Sequence, residues 1–378
     1  LLLKFWRSWS APLLNWRDRL LINPDFQRRS FRLPLFRWIA RRRMRALFDL
    51  CSGFVYSQVL LACTRLNLFE ILSESPRSAA ELAQELSLPL ASLERLLEAA
   101  ESLQLVEQRG SKKYGLGPLG SALLGNPSVA MMIEHHSALY SDLSDPVALL
   151  RGEAQTADLA KFWGYSNNAS PTELVSKDTA AYSELMAASQ SMIADQVLSS
   201  YSMRKHHHLL DVGGGAGAFV LAALAKNQQL KASVFDLPSV AELANQRFKQ
   251  LGHEARASAI GGSFLADPLP TGHDLISLIR VLHDHDDDAV VQLLRAVRKA
   301  IAPDGVLLIA EPMLGTRGAE PVGAAYFGFY LLAMGQGRAR SQETLVSMLQ
   351  QAGFTDVKAR RTSAPLLVRV LTARPGNL

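Results

Sequence analysis

Three rhythms of apolar and polar positions follow one another along the chain. From residue 208 onward, short apolar runs alternate with longer amphipathic stretches. Strands are expected near 208–212, 231–235, 255–260, 274–279, 305–310, 354–359 and 366–372, with helices between most of them. That alternation predicts an open, mostly parallel α/β sheet, doubly wound with helices on both faces. No helix separates the last two strands, so they are expected to pair antiparallel at one edge.

Between 76 and 116 the pattern is compact. One helix is expected near Ala79 to Leu86. After a turn at Pro89 comes a second, Ala91 to Leu103, with Leu93, Leu96 and Leu97 on one face. A strand (Leu105 to Gln108), a tip at Gly110-Ser111-Lys112-Lys113 and a return strand (Tyr114 to Leu116) complete a winged-helix pattern. Residues 46–72 read as a helix that is apolar nearly all round, hence buried, with a dimer interface as one place for it. Residues 120–200 read as helical and fairly apolar. The expected divisions are 1–45, 46–120, 121–200 and 201–378.

Charge changes this picture at the start. Residues 1–45 hold twelve Lys and Arg against Asp18 and Asp25, so this stretch carries +10 of a total of +5 and the remainder is −5. The same stretch holds Trp6, Trp9, Trp16 and Trp38. Trp with Arg suits the boundary between lipid headgroups and acyl chains. The competing reading is a helical arm packed on the protein with its guanidinium groups in water. The winged helix has the opposite sign. Its second helix carries Glu94, Glu98 and Glu101 against Arg95 alone, which would repel phosphates, so nucleic acid is not expected as a partner.

Only Cys51 and Cys63 are present, which excludes a disulfide framework and fits a reducing cytoplasm. Peripheral contact with an inner or photosynthetic membrane is the second location considered. No secretory signal is evident from Leu1. No uninterrupted apolar run is expected to span a membrane; Phe48 to Leu61 and Tyr326 to Met334 are too short or carry polar residues.

The chemistry gathers at the ends of the expected strands. Leu209 to Val212 runs into Gly213-Gly214-Gly215-Ala216-Gly217, then an apolar helix from Phe219. The spacing of Gly213, Gly215 and Gly217 is neither the dinucleotide G-x-G-x-x-G nor a P-loop. Alone it says only that a ligand could approach the backbone closely. Asp236, in Phe235-Asp236-Leu237-Pro238, lies 23 residues after Gly213, near the separation at which a carboxylate meets ribose hydroxyls. Gly261-Gly262-Ser263-Phe264 follows the third strand, where an adenine could stack or lie edge-on.

After the fourth strand comes Arg280-Val281-Leu282-His283-Asp284-His285-Asp286-Asp287-Asp288. A His at a strand end can act as a general base. Metal ligation and helix capping are the alternatives. Neighbours that point in different directions rarely close one coordination shell, and Asp286 to Asp288 suit a helix N-terminus. No metal is expected. Glu311, at the end of the fifth strand, could orient His283 by accepting its second ring proton. Met132, His136, Tyr182, Met186, Phe329 and Met334 are either core or the wall of an apolar substrate chamber.

The runs D-V-G-G-G-A-G, F-D-L-P, L-H-D and A-E-P, in that order, resemble the S-adenosylmethionine-dependent O-methyltransferases of the plant caffeate and hydroxyindole type. The likeness covers about residues 46–372. It implies a Rossmann-like methyltransferase sheet and an N-terminal winged-helix dimerisation domain, hence a homodimer. It further implies S-adenosylmethionine in the Gly213 to Gly217 loop beside Asp211, its ribose on Asp236 with Leu237, Ser263, Phe264 and Arg280 nearby, and His283 as proton acceptor. A narrower likeness, in Arg41-Arg42-Arg43, in Ala46 to Cys63 and in Gly335 to Ser341, is to bacterial O-methyltransferases of acyclic hydroxycarotenoids. That implies an apolar small-molecule substrate bearing a tertiary hydroxyl. A soluble phenol or polyketide, and carbon methylation of a bacteriochlorophyll precursor, are the other acceptors considered. The chain departs from the plant pattern in having Ser263 for Asp, Ile279 for Lys and Ala339 for a second orienting Glu.

Overall fold

The computed structural model describes residues 2–153, 158–159 and 190–376, leaving aside the side chains of residues 2–10, 35 and 111. Tyr182 and Met186 lie outside the described residues. The chain forms two compact units, Leu1–Gly125 and Asn126–Leu378.

The first unit begins with three helices, α1 (Leu2–Ile22), α2 (Pro24–Arg32) and α3 (Pro34–Arg65). Proline opens the second and third, where its missing N–H is no loss. Each preceding residue, Asn23 or Leu33, is extended, as a residue before proline prefers. The Asn23 side chain accepts from the N–H groups of Asp25 and Phe26 at 2.8 and 3.2 Å, capping α2.

No break falls at residues 45–46, because α3 runs straight through them. Nor is its apolar surface buried as its all-round apolarity suggests. Leu47, Phe48, Leu50, Phe54 and Val55 are exposed in the single chain, Leu50 by 82%. By length and composition the stretch Phe36–Arg65 can cross a membrane, with a mean hydropathy of 1.5 over 18 residues of which 11% are buried. Uninterrupted apolar runs do not reveal this, because isolated polar residues such as Ser52, Ser57 and Gln58 break the run without lowering the average much.

Helix α3 ends where Asn67 turns left-handed (φ 48), and α4 (Leu68–Glu74) follows. The winged helix consists of β1 (Arg77–Ser78), α5 (Ala79–Glu85), α6 (Leu90–Ser102), β2 (Val106–Arg109) and β3 (Lys113–Leu116). Ser78 and Glu81 form a capping box at the start of α5. Leu93, Leu97 and Ala100 are the buried face of α6. The three strands pair in the order β1-β3-β2. The unit closes with α7 (Pro118–Leu124).

The second unit opens with α8 (Pro127–Asp142) and α9 (Pro146–Arg151) and then builds a seven-stranded sheet. Its strands are β4 (His208–Val212), β5 (Lys231–Asp236), β6 (Ala257–Gly261), β7 (His273–Ile279), β8 (Ile301–Glu311), β9 (Phe354–Arg360) and β10 (Arg369–Pro375). They lie in the order β6-β5-β4-β7-β8-β10-β9. The pairs among the first five are parallel, and β10 is antiparallel to both β8 and β9. This is a mixed, Rossmann-like doubly wound sheet.

Side chains alternate between two cores. On β7, Leu275 and Ile279 join one, Ile276 and Leu278 the other. The first crossovers carry α10 (Ala218–Lys226) and α11 (Pro238–Gln250). The later ones carry α12 (Asp287–Ala300), α13 (Phe327–Met334) and α14 (Gln342–Gln351). His206, just before β4, is buried and bonded to the Tyr201 hydroxyl at 2.7 Å.

Candidate active site

Strand order reverses at β4, with β5 on one side and β7 on the other. A ligand crevice lies beyond the strand ends at such a point. The loop Gly213 to Gly217 sits there. Gly217 has φ +75, and a Cβ on it would come within 2.3 Å of the Phe248 ring, so this glycine lets α11 pack against the loop. Gly215 differs. It too has positive φ (+56), but a Cβ there would meet nothing within 4 Å. Its open side leaves room for a ligand, and its N–H donates to Asp236 Oδ2 at 2.8 Å.

Two carboxylates flank this opening. Asp236 is half-buried; its other oxygen accepts from the Leu237 N–H at 2.7 Å. Asp211 is 1% exposed. Its Oδ1 accepts from the Ser277 hydroxyl at 2.6 Å, while Oδ2 is sealed from solvent without a partner among the described residues. Burial raises the Asp211 carboxyl to about 7. An orphaned carboxylate oxygen beside the backbone of Gly214, next in the chain to the open Gly215, is what a cationic ligand group would satisfy. The residues present therefore fit a nucleoside that carries a positive charge. Ser263 uses its N–H on Asp267, and the Phe264 ring stands edge-on to His285 at 5.1 Å.

At the end of β7, Arg280 is left-handed (φ 59), a costly conformation for a residue with a side chain. It is fixed by donation from its N–H to Ala310 O at 2.8 Å. The turn delivers His283, 5% exposed, alongside the end of β8. There His283 Nδ1 is 2.6 Å from Glu311 Oε2. Glu311 Oε1 accepts from the N–H groups of Val281 and Leu282 at 3.0 and 2.7 Å. The carboxylate is thus fully engaged in holding the loop and the ring together. On the other side, His283 Nε2 is 3.2 Å from Asp284 Oδ1.

Burial alone would push the His283 pKa down, but the negative charges of Asp284 and Glu311 outweigh it and the net shift is upward. Burial raises Asp284 to about 6. The positive charge of Arg280 lies near enough to His283, Asp284 and Tyr326 to act downward on the pKa of each.

Several members of the site are not evident from sequence. Arg340 is 3% exposed and clamps the His283 loop. It donates to Leu282 O at 2.6 Å, to His285 O at 2.7 Å and to Asp287 Oδ1 at 2.8 Å. It stands one position after Ala339, which replaces the second orienting Glu of the plant pattern. Asp284 supplies a second carboxylate at the ring instead. Ser277, the partner of Asp211, has a visible signal: it is the polar residue inside the otherwise apolar run of β7.

The wall beside His283 comes from a π-helical turn, Val322–Tyr326, leading into α13. The Phe327 ring lies edge-on to His283 at 5.5 Å. Tyr326 and Tyr330 reach α8, bonding His136 at 2.8 Å and His135 at 2.7 Å. Met132 is half-buried, with its sulfur 3.8 Å from the Tyr326 hydroxyl. Burial lowers His135 to about 4 and lowers His136 as well, so both are neutral at pH 7. Phe329 is half-buried on α13. Met334 has no exposed surface and packs with Leu139, Leu149 and Tyr330. Among the described residues, no group of three or more His, Cys, Asp or Glu is placed to hold a metal ion.

A sheet whose β4 and β5 ends fit a charged nucleoside, with a carboxylate-oriented imidazole at the end of β7, has the layout of a nucleoside-dependent group-transfer enzyme. The chain belongs to the O-methyltransferase family: the O-methyltransferase domain matches residues 140–355 and the O-methyltransferase dimerisation domain residues 48–126. It is similar to demethylspheroidene O-methyltransferase of Cereibacter sphaeroides, 38% identical over 95% of this chain and 94% of that one. It is likewise similar to the protein of that name from Rhodobacter capsulatus, 39% identical over 96% and 90%. Among solved structures, human N-acetylserotonin methyltransferase in complex with S-adenosylmethionine superposes with a TM-score of 0.68 at 26% identity, over 89% of this chain and 98% of that one. The chain is an S-adenosylmethionine-dependent O-methyltransferase.

Proposed function

We propose that the acceptor is the tertiary hydroxyl of an acyclic hydroxycarotenoid, with His283 taking the hydroxyl proton. The observation that carries the base assignment is the 2.6 Å contact between His283 Nδ1 and Glu311. A proton held on Nδ1 by that carboxylate makes Nε2 the basic nitrogen; Nε2 faces Asp284 Oδ1 at 3.2 Å, so the acceptor hydroxyl must share or displace that contact. The acceptor is supported by the names of the two bacterial relatives and by the uncharged, aromatic wall of Tyr326, Phe327 and Tyr330.

When bound, S-adenosylmethionine supplies an electrophilic methyl on a good leaving group. Asp236 would hold its ribose and Asp211 Oδ2 its positively charged part. The protein's remaining work is to position the hydroxyl oxygen and remove its proton. An alkyl alcohol is far too weak an acid to ionise beforehand, so His283 accepts the proton as the oxygen attacks. Arg340 and Glu311 keep the ring's loop from shifting, and Phe327 excludes water from one side of the ring. We further propose that the protein works as a homodimer, with the exposed apolar residues of α3 from Phe48 onward covered by a second copy.

The test is a panel of acceptors with isotopically labelled cofactor. Labelled ether is expected from the hydroxycarotenoid and little from simple phenols; preference for a phenol would reject the carotenoid reading.

The pH profile tests the base. His283 must be neutral to act, and its pKa is raised, so turnover is expected to rise with pH through an inflection above the ordinary ~6.5. Asp284→Asn removes one negative neighbour and lowers the His283 pKa. The inflection in kcat should then move to lower pH. An inflection that stays put or moves up contradicts the assignment.

A further inference from the structure

The first three turns of α3 carry a feature that methyl transfer does not use. Pro34, Arg37, Trp38, Arg41, Arg42 and Arg45 line an open recess of about 500 Å³. Their spacing, i, i+3, i+4, i+7, i+8 and i+11, places all six on one face of the helix. Four guanidinium groups share this lining, and no carboxylate is part of it. Like charges held this close repel one another unless an anion joins them.

Two side chains show how the recess is held. The Arg42 guanidinium lies over the Trp38 ring, 5.7 Å from its centroid. Arg37 Nε is sealed from solvent and has no hydrogen-bond partner among the described residues. A buried donor without an acceptor is rare in a folded protein and points to a missing one.

The surroundings identify the anion's carrier. Trp38, on the arginine face, is 66% exposed and Met44 is exposed at the edge of that face, whereas Phe36 and Ile39 are exposed on the opposite side of α3. Leu13, Leu14, Trp16 and Ile22 on α1 are exposed as well. A soluble phosphate would need the cations but not an exposed Trp set among them. A bilayer of anionic lipid matches both, since phosphates meet the arginines while Trp and aliphatic side chains enter the acyl boundary. The recess also lies before residue 48, where the match to the dimerisation domain begins.

We propose that the α3 recess is a binding site for the phosphate of an anionic phospholipid, through which the enzyme docks on a negatively charged membrane. The assignment stands apart from the acceptor's identity, because vesicle binding is read without any methyl transfer.

The experiment sediments the full chain with vesicles of phosphatidylcholine alone or of phosphatidylcholine containing phosphatidylglycerol, at about 50 and about 300 mM salt. Binding to the anionic vesicles alone, weakened by salt, is expected. The double variant Arg41→Gln/Arg45→Gln should lose about thirty-fold in partitioning, equivalent to ~1 kcal/mol for each cation at the surface. A matched variant with the same charge change elsewhere, Arg95→Gln/Arg151→Gln, should bind as the unaltered chain does. Trp38→Ala should weaken binding even at high salt, where the charge contribution is screened.

Circular dichroism and light scattering confirm that the variants keep their fold and assembly. Four results would overturn the proposal. They are equal binding to neutral vesicles, equal loss in the matched variant, displacement from vesicles by millimolar inorganic phosphate, or tighter capture by a DNA duplex than by anionic vesicles.

Discussion

Replacing His283 with Ala is expected to lower turnover by about 10²–10⁴-fold, the usual contribution of a positioned general base. Affinity for S-adenosylmethionine should stay near that of the unaltered chain. The expectation rests on separation of tasks within the second unit. The glycine loop and Asp236 belong to β4 and β5, whereas His283 belongs to the turn after β7 and is locked by Glu311 from β8. The substitution removes the ring but leaves the loop's other ties intact, since Arg340 still bonds the Leu282 and His285 carbonyls and Glu311 still accepts from two backbone N–H groups. The orphaned Glu311 Oε2 costs some stability, so turnover must be measured on protein shown to be folded. Single-turnover rates with saturating cofactor isolate the chemical step. A variant as fast as the parent would remove His283 from the base role.

Asp236→Ala should do the reverse and weaken cofactor binding by roughly two orders of magnitude. Losing two charge-assisted hydrogen bonds at ~1.5 kcal/mol each corresponds to a change of that size. In the structure this carboxylate already accepts from Gly215 and Leu237, so it shapes the loop as well as facing the ligand. Asp236→Asn separates the two duties. It keeps one carbonyl oxygen for a backbone N–H but loses the charge and half the acceptor capacity, and should fall between parent and Ala. Calorimetric titration with cofactor reads all three proteins. Unchanged affinity in the Ala variant would take Asp236 out of the site.

Much of this arrangement is legible in the amino-acid sequence. The apolar runs mark every strand of the second unit, and the reversed partner at the edge as well, because strand burial writes a local, short-period signal. The glycine loop, Asp236, His283 and Glu311 can be singled out because each stands at a strand end, a place that sequence rhythm locates. Arg340 cannot. Its role depends on a loop folding back onto residues more than fifty positions earlier, and nothing local in Gly335 to Ser341 says so. In sequence Asp284 is one member of an acidic run; only the loop's geometry singles it out as the residue facing the ring. Met334 and Tyr326 lie eight residues apart in one apolar stretch, and composition does not tell which is core and which faces His136. The surface of α3 departs from expectation for a different reason. All-round apolarity predicts burial, but not which molecule does the burying.

The π-helical turn Val322–Tyr326 has a consequence for the wall beside His283. A π turn holds one residue more than an α turn, so consecutive side chains after it can face different neighbours: here Tyr326 meets His136 and Phe327 meets His283. Deleting the extra residue would let this turn relax to an α turn, and the pairing of Tyr326 with His136 and of Phe327 with His283 would have to be remade. The cofactor half of the enzyme, which is built from other strands and loops, would not be touched.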